Sequence, residues 1–272
     1  ITTGGGTNAF YDVVINKNAT ATTVTLGGAL TVTRDLTVQV GTLDVSGTNY
    51  AVSVGRNLTI ATGQVYTARA GTVTMTGTGT LTSSGNVFNA LSVSGTGSVT
   101  PQDTTSVSQN FSIASGGSWT HNGQTLAFTT GTAGTITDGN AVLVNLGAVT
   151  VSGTNKTMGS ALLMGSLTLS GILSTSGNHY TLTVNGNLNA VDGTLDLNNG
   201  GTVNVGGDLT LGTLINVTGS TLVFTGSGNQ SLTSNSQSLE NVNINKPSGT
   251  FTATDSTTLT GNLTVTNSVG VT

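Results

Sequence analysis

Ten carboxylates are the first groups to test for chemistry: Asp12, Asp35, Asp44, Asp103, Asp138, Asp192, Asp196, Asp208, Glu240 and Asp255. Glycoside hydrolysis needs two carboxyl groups at a fixed separation, and in a repetitive chain that means acids recurring at equivalent positions. In the repeat register set out below, Asp44 aligns with Ser174 and Asp196 with Tyr66, so no acidic column builds up. Asp192 and Asp196 are close enough in sequence to share a turn-to-strand patch, but solvated turn acids are the simpler account of both. His121 and His179 lie in Gly/Asn turns with no Cys or paired His at ligand spacing and read as surface histidines. Gly206-Gly207-Asp208-Leu209 matches only a fragment of a calcium-binding nonapeptide. Ser and Thr are abundant, yet a hydroxyl without a base is not a nucleophile, and no phosphate-cradling glycine motif is present. The chain is therefore expected not to be an enzyme and to carry no catalytic, metal or cofactor residue.

Binding residues are sparser still. Trp119 with Phe128, and Tyr50 with Tyr180, are the aromatic groups that could stack on sugars, although such residues also plug corners and ends of apolar cores. Arg34 and Arg56 recur at equivalent positions, so Asp35 is expected nearby to offset two like charges in an exposed pair worth under ~1 kcal/mol. Seven Asn-x-Ser/Thr strings (Asn18, Asn57, Asn110, Asn155, Asn216, Asn229, Asn262) matter only where the source glycosylates. Thr-x-Thr strings such as Thr31-Val32-Thr33 and Thr181-Leu182-Thr183 raise an ice-binding surface, but the equivalent positions mix in Ser, Asn and Asp.

The elements that must hold these residues follow from composition and period. Of 272 residues only 6% are charged and 4% aromatic, with 40 glycines, two prolines, no cysteine and a net charge of −4. Few charges and many β-branched residues exclude intrinsic disorder. Collagen lacks its glycine period here, and no apolar run approaches the ~20 residues of a membrane-spanning helix. Six basic against ten acidic residues leave no footprint for nucleic acid.

Internal repeats dominate. Arg34-Asp35-Leu36-Thr37-Val38 returns 22 residues later as Arg56-Asn57-Leu58-Thr59-Ile60. Gly165-Ser166-Leu167-Thr168-Leu169, Gly186-Asn187-Leu188-Asn189-Ala190 and Gly207-Asp208-Leu209-Thr210-Leu211 follow at steps of 21. Over a longer period Gly41–Val54 aligns without a gap on Gly171–Val184, and a module opening recurs at Phe10–Lys17, Phe88–Val93 and Leu239–Lys246. Modules are expected at roughly 8–87, 88–141, 142–238 and 239–272, the last incomplete, within one continuous solenoid over 1–272.

Inside each unit, apolar residues alternate with Thr, Ser, Asn or Asp, as in Leu30, Val32; Val52, Val54; and Val203, Val205. Period two predicts short, half-buried strands, separated by Gly/Ser/Asn clusters where positive φ costs little. One tryptophan cannot fill several β-sandwich cores. A solenoid needs only a narrow interior of stacked Val, Leu and Ile, and its rungs ~4.8 Å apart penalise stacked charge. The expected fold is an all-β single-stranded parallel β-helix (β-solenoid) of about 12–13 coils of roughly 21–22 residues. The polar residue before each strand-opening apolar one (Asp35, Asn57, Asn110, Ser166, Asn187, Asp208, Asn262) should mark one recurrent corner, bonding to backbone or to its copy a rung away.

Asn262-Leu263-Thr264-Val265, Phe10–Lys17 and Phe224–Leu232 resemble repeats of large bacterial surface proteins with parallel β-helix folds: filamentous-haemagglutinin-like and autotransporter-like adhesins and giant extracellular repeat proteins. The resemblance covers nearly the whole chain. It implies secretion, a cell-surface or filament location, and adhesion or scaffolding. No signal peptide or carboxy-terminal secretion domain is seen, so the chain reads as a processed subunit or a slice of a longer polypeptide. Ile1–Thr7 and Thr264–Thr272 show no capping pattern. The expected function is a structural extracellular rod, stalk or head-to-tail filament. The expected partners are copies of the chain end to end or flanking repeats of the same polypeptide, possible glycan ligands aside, with no nucleic acid and no membrane insertion. An adhesin or glycan-binding shaft is the alternative.

Overall fold

The structure is a computed structural model that describes residues 9–129, 132–153, 155–266 and 270–271. Every regular element among these residues is a β-strand, and every strand pairing is parallel. The chain divides into two compact units, Ile1–Thr129 with Asp138–Val144, and Thr130–Thr137 with Asn145–Thr272. Each contains a six-stranded parallel sheet made of one strand per turn, and together they give a β-solenoid of about twelve turns.

Identical side-chain types pile up along each sheet, as period two requires. In the first unit Leu36 pairs with Leu58 and Leu58 with Leu81, while Val38 pairs with Ile60. A second inward column runs Leu30, Val52, Val73, Leu91, Phe111, with Thr31, Ser53, Thr74, Ser92 and Ser112 on the outer face. In the second unit Leu162, Leu182, Val203, Leu222, Val242 and Leu263 form one column, and Met164, Val184, Val205, Phe224, Ile244 and Val265 the next. Except for Leu263 and Val265 in the last rung, the inward residues of these columns are buried, and the outward hydroxyls are exposed or half-buried. Each buried Val or Leu gains about 1.5–3 kcal/mol from leaving water. No charged residue enters these columns, which accounts for the low charge of the sequence.

Polar corners are present, but the predicted residues do not share one corner: Asp35 and Asn57 open strands of one sheet, Asn187 and Asp208 strands of a second and Asn262 a strand of a third, while Asn110 lies inside a strand. Asp35 Oδ1 accepts the Asn57 N–H at 3.2 Å, and Asn57 Oδ1 accepts the Thr80 N–H at 2.9 Å. In the second unit Asn187 Oδ1 accepts from Asp208 N–H at 2.9 Å, and Asp208 Oδ1 from Ser231 N–H at 2.7 Å. Each side chain thus caps the backbone of the following rung, where the ladder is interrupted by the bend. The turn Ser46–Tyr50 and its repeat Ser176–Tyr180 share one conformation, with positive φ at Ser46 and Asn49 and at Ser176 and His179.

Not every glycine is there for positive φ. Gly55 and Gly206 have no left-handed backbone, yet a Cβ on either would fall on a carbonyl oxygen of the preceding rung, Thr33 and Asn185 respectively. Close approach of rungs, rather than turn geometry, selects glycine at these corners.

Candidate sites and the terminal rungs

Trp119 lies inside the first unit, 3% exposed, edge-on to Phe111 with ring centroids 5.2 Å apart. Phe111 in turn packs edge-on against Phe128 at 6.4 Å. This corrects the sugar-stacking expectation for Trp119: three large rings fill the core and neither face of the indole meets solvent. Tyr50 and Tyr180 are half-buried at equivalent turns, one in each unit. The Tyr180 hydroxyl accepts from Asn178 Nδ2 at 3.3 Å, which ties it to its own loop.

The acids are occupied by the backbone and by arginines. Asp196 Oδ1 accepts from Asn198 N–H at 3.0 Å and from Asn216 Nδ2 at 2.8 Å, holding a turn, and its rung neighbours are Ser174 and Ile215. Asp192 is exposed. Asp208 belongs to the corner ladder and also accepts from Ser231 Oγ at 2.9 Å. His121 Nδ1 accepts its own loop's Gly123 N–H at 3.1 Å, and the His179 ring lies against Gly200. Among the described residues no group of three or more His, Cys, Asp or Glu converges.

Asp35 lies beside both arginines, as expected: Arg56 grips it through both Nε and Nη2, and Arg34 Nε lies 3.8 Å from its Oδ2. Arg34 Nε also pairs with the acid one rung earlier, 3.2 Å from Asp12 Oδ1. Arg34 also covers the Tyr11 ring at 4.6 Å and donates to its hydroxyl at 3.2 Å. The hydrogen bond from Arg56, with the Asn57 N–H and both guanidinium charges, holds the Asp35 carboxyl at about 2. Arg69 makes the same two-pronged contact with Asp44 at 2.6 and 2.7 Å and lowers that carboxyl as well.

Two structural devices lay outside the sequence expectations. Lys246 is fully buried, and its ammonium donates to the carbonyls of Gly226 (2.8 Å) and Gly228 (2.7 Å) and to Gln230 Oε1 (2.7 Å). Gln230 itself donates to the carbonyls of Val205 and Gly207. Burial pushes the lysine below its ordinary range. The signal was the recurrence of Asn-Lys at 16–17, 155–156 and 245–246, which accounts for every lysine in the chain. The second device joins Asp103 to Ser83 and Ser84, and Asp255 to Ser234 and Asn235, an acid one rung on capping a tight serine turn.

No family model, no curated protein and no solved structure matches this chain. What the molecule offers a partner must therefore be sought in its own surfaces.

One such surface, largely apolar, is the face of the last described rung in the second unit. Leu232, Val242, Ile244, Phe251, Ala253, Thr257, Leu259 and Leu263 line a cavity of about 250 Å³. Along its two columns exposure changes abruptly. Val242 and Ile244 are 3% and 0% exposed, whereas Leu263 and Val265 are 53% and 47% exposed. The amino-terminal rung of the first unit is also open: Phe10, Tyr11 and Val14 are exposed and Val13 is half-buried, although Ile15 is already covered. A separate, hydroxyl-lined concavity of about 280 Å³ lies on the first unit among Thr72, Thr74, Ala90, Ser92, Asn110 and Ser112.

Proposed function

We propose that the protein is a structural, extracellular β-solenoid that builds a rod, stalk or filament by stacking end-on with further coils, copies of itself above all. The observation that carries this is the exposure of Leu263 and Val265 at positions whose predecessors in the same columns are buried. Half-exposed leucine and valine on a flat strand edge form a template for another strand, and a repeat array gains stability from every neighbour added. A heterologous contact of this kind does not close and so propagates. The low charge and the resemblance to surface repeat proteins support an extracellular setting. Imaging concentrated protein by negative-stain electron microscopy tests the proposal: particles joined end to end support it, and separate particles at every concentration sink it.

A second reading, a glycan-binding shaft, is favoured by the concavity of Thr74, Ser92, Asn110 and Ser112, whose uncharged hydroxyls and amide suit a neutral polyhydroxyl ligand. Binding on a glycan array that is lost in Asn110→Ala would support it over pure scaffolding.

A further inference from the structure

The two open rungs carry matching edges, and we infer the register in which one copy seats on the next: Asn262 on Asp12, Leu263 on Val13, Thr264 on Val14 and Val265 on Ile15, with Phe10 filling the space beside Leu259. The inference rests on the end-on stacking proposed above and adds the residues that form the seam.

Three independent observations fix this register. The first is the backbone. In the last rung Asn262 C=O accepts from Val242 N–H at 2.9 Å, and Thr266 N–H donates to Ile244 C=O at 3.0 Å. Parallel ladders use alternate residues on each side, so the N–H and C=O of Leu263 and Val265 face outward. In the first rung Val13 N–H and Lys17 N–H donate inward, to Asp35 and Val40, which leaves Asp12, Val14 and Asn16 facing outward. With Leu263 opposite Val13, Leu263 bonds Asp12 and Val14 while Val265 bonds Val14 and Asn16, and no group is left over. A one-residue slip would place used groups opposite free ones.

The second is the polar corner. Asp12 Oδ1 accepts from Asp35 N–H at 3.1 Å in the first unit, and Asn241 Oδ1 accepts from Asn262 N–H at 3.1 Å in the second. Asn262 is the next member of that series, and its side chain makes no hydrogen bond among the described residues. In the inferred register its Oδ1 accepts the Asp12 N–H of the adjoining copy, continuing the same contact.

The third is the sequence repeat itself. Phe10–Lys17 aligns with Leu239–Lys246, with Val13, Ile15, Asn16 and Lys17 matching Val242, Ile244, Asn245 and Lys246, and Leu239 already pairs with Leu259. Phe10, which bridges to Val32 on its other side, is therefore the residue to follow Leu259 and enter the apolar cavity that Leu259 lines. The seam thus continues a rung-on-rung interface that each unit already makes many times over. Gly261–Thr266 carries no charge, so Asp12 and its partner Arg34 meet no like charge across it.

The chain contains no cysteine, so a cysteine pair reports register without competition. Outward-facing partners on adjacent parallel strands lie ~4.8 Å apart, inside the Cα separation a disulfide accepts. Single variants Val14→Cys and Thr264→Cys, both at exposed positions, are mixed under oxidising conditions. The expected result is a disulfide-linked dimer of one chain of each, with little product from the slipped mixture Asn16→Cys and Thr264→Cys. Assembly that persists while the slipped pair cross-links better would overturn the register and leave stacking intact. Failure of both mixtures to cross-link, with the proteins monomeric by light scattering, would overturn stacking itself. Phe10→Asp gives a second readout that needs no cross-link: burying a carboxylate in the cavity should raise the concentration at which assembly begins by ~tenfold or more, and an unchanged threshold would exclude Phe10 from the seam.

Discussion

At the scale of single residues, the charged and polar groups of this protein maintain the backbone. Asp35 shows the sign of the effect. Its folded carboxyl titrates at about 2 instead of 3.8, so the protein binds that proton less readily than the unfolded chain does. The resulting stability is complete above pH ~4 and is lost as pH falls toward 2. Asp44 is lowered by Arg69, and Asp255 by the Ser234 N–H and hydroxyl, in the same direction. Thermal unfolding followed from pH 6 to pH 2 should therefore show a falling midpoint, and Asp35→Asn should flatten the slope. Because Arg56 is 44% exposed at its side chain, the loss at neutral pH should stay under ~1 kcal/mol. Lys246 is the costlier residue. Lys246→Met keeps the stem and removes the donor from three acceptors, so urea unfolding should show a loss of about 1–3 kcal/mol. No change would mean the ammonium is not engaged. The Asn-Lys recurrence did not by itself mark this lysine as buried, because Lys156 and Lys246 share it and are buried whereas Lys17 shares it and is exposed.

At the scale of the strand and the corner, legibility depended on how local the cause was. Alternation of Leu, Val and Ile with hydroxyl residues is set within one strand, so Leu30–Val32, Val52–Val54 and Thr202–Val205 appear as period two predicts. The corner polar residues were also legible, since Asp35, Asn57, Asn187 and Asp208 recur one rung apart and bond one rung apart. Glycine was half legible. Turn glycines such as Gly63 take positive φ, but Gly55 and Gly206 answer to a carbonyl that arrives from the preceding rung. The burial of Trp119 was hidden for the same reason, because Phe111 and Phe128 reach it only once the rungs are stacked. A paired substitution tests this account of the corners. Gly206→Ala must separate two rungs and should cost about 1–3 kcal/mol in equilibrium unfolding. Gly47→Ala, with no atom within 4 Å of the added methyl, should cost far less. Equal costs would mean close approach is not the constraint.

At the scale of the whole molecule, stability and the proposed stacking share one source, the templating of each rung by its neighbour. A rung at the edge of such a stack has half the contacts of an interior one, and the exposure of Leu263, Val265 and Phe10 is the visible consequence. Under the proposed stacking, the exposed edge at Leu263 and Val265 is the surface through which the solenoid grows, and that role needs no separate binding site. The measurement that bears most directly on this is sedimentation velocity across a hundredfold range of concentration, comparing the native chain with Leu263→Lys/Val265→Lys. The expected result is a native boundary that moves to larger species as concentration rises, with the lysine variant folded by circular dichroism and monomeric throughout. A native chain that remains monomeric at the highest concentration, or a lysine variant that assembles as readily as the native one, would contradict growth through the open rung.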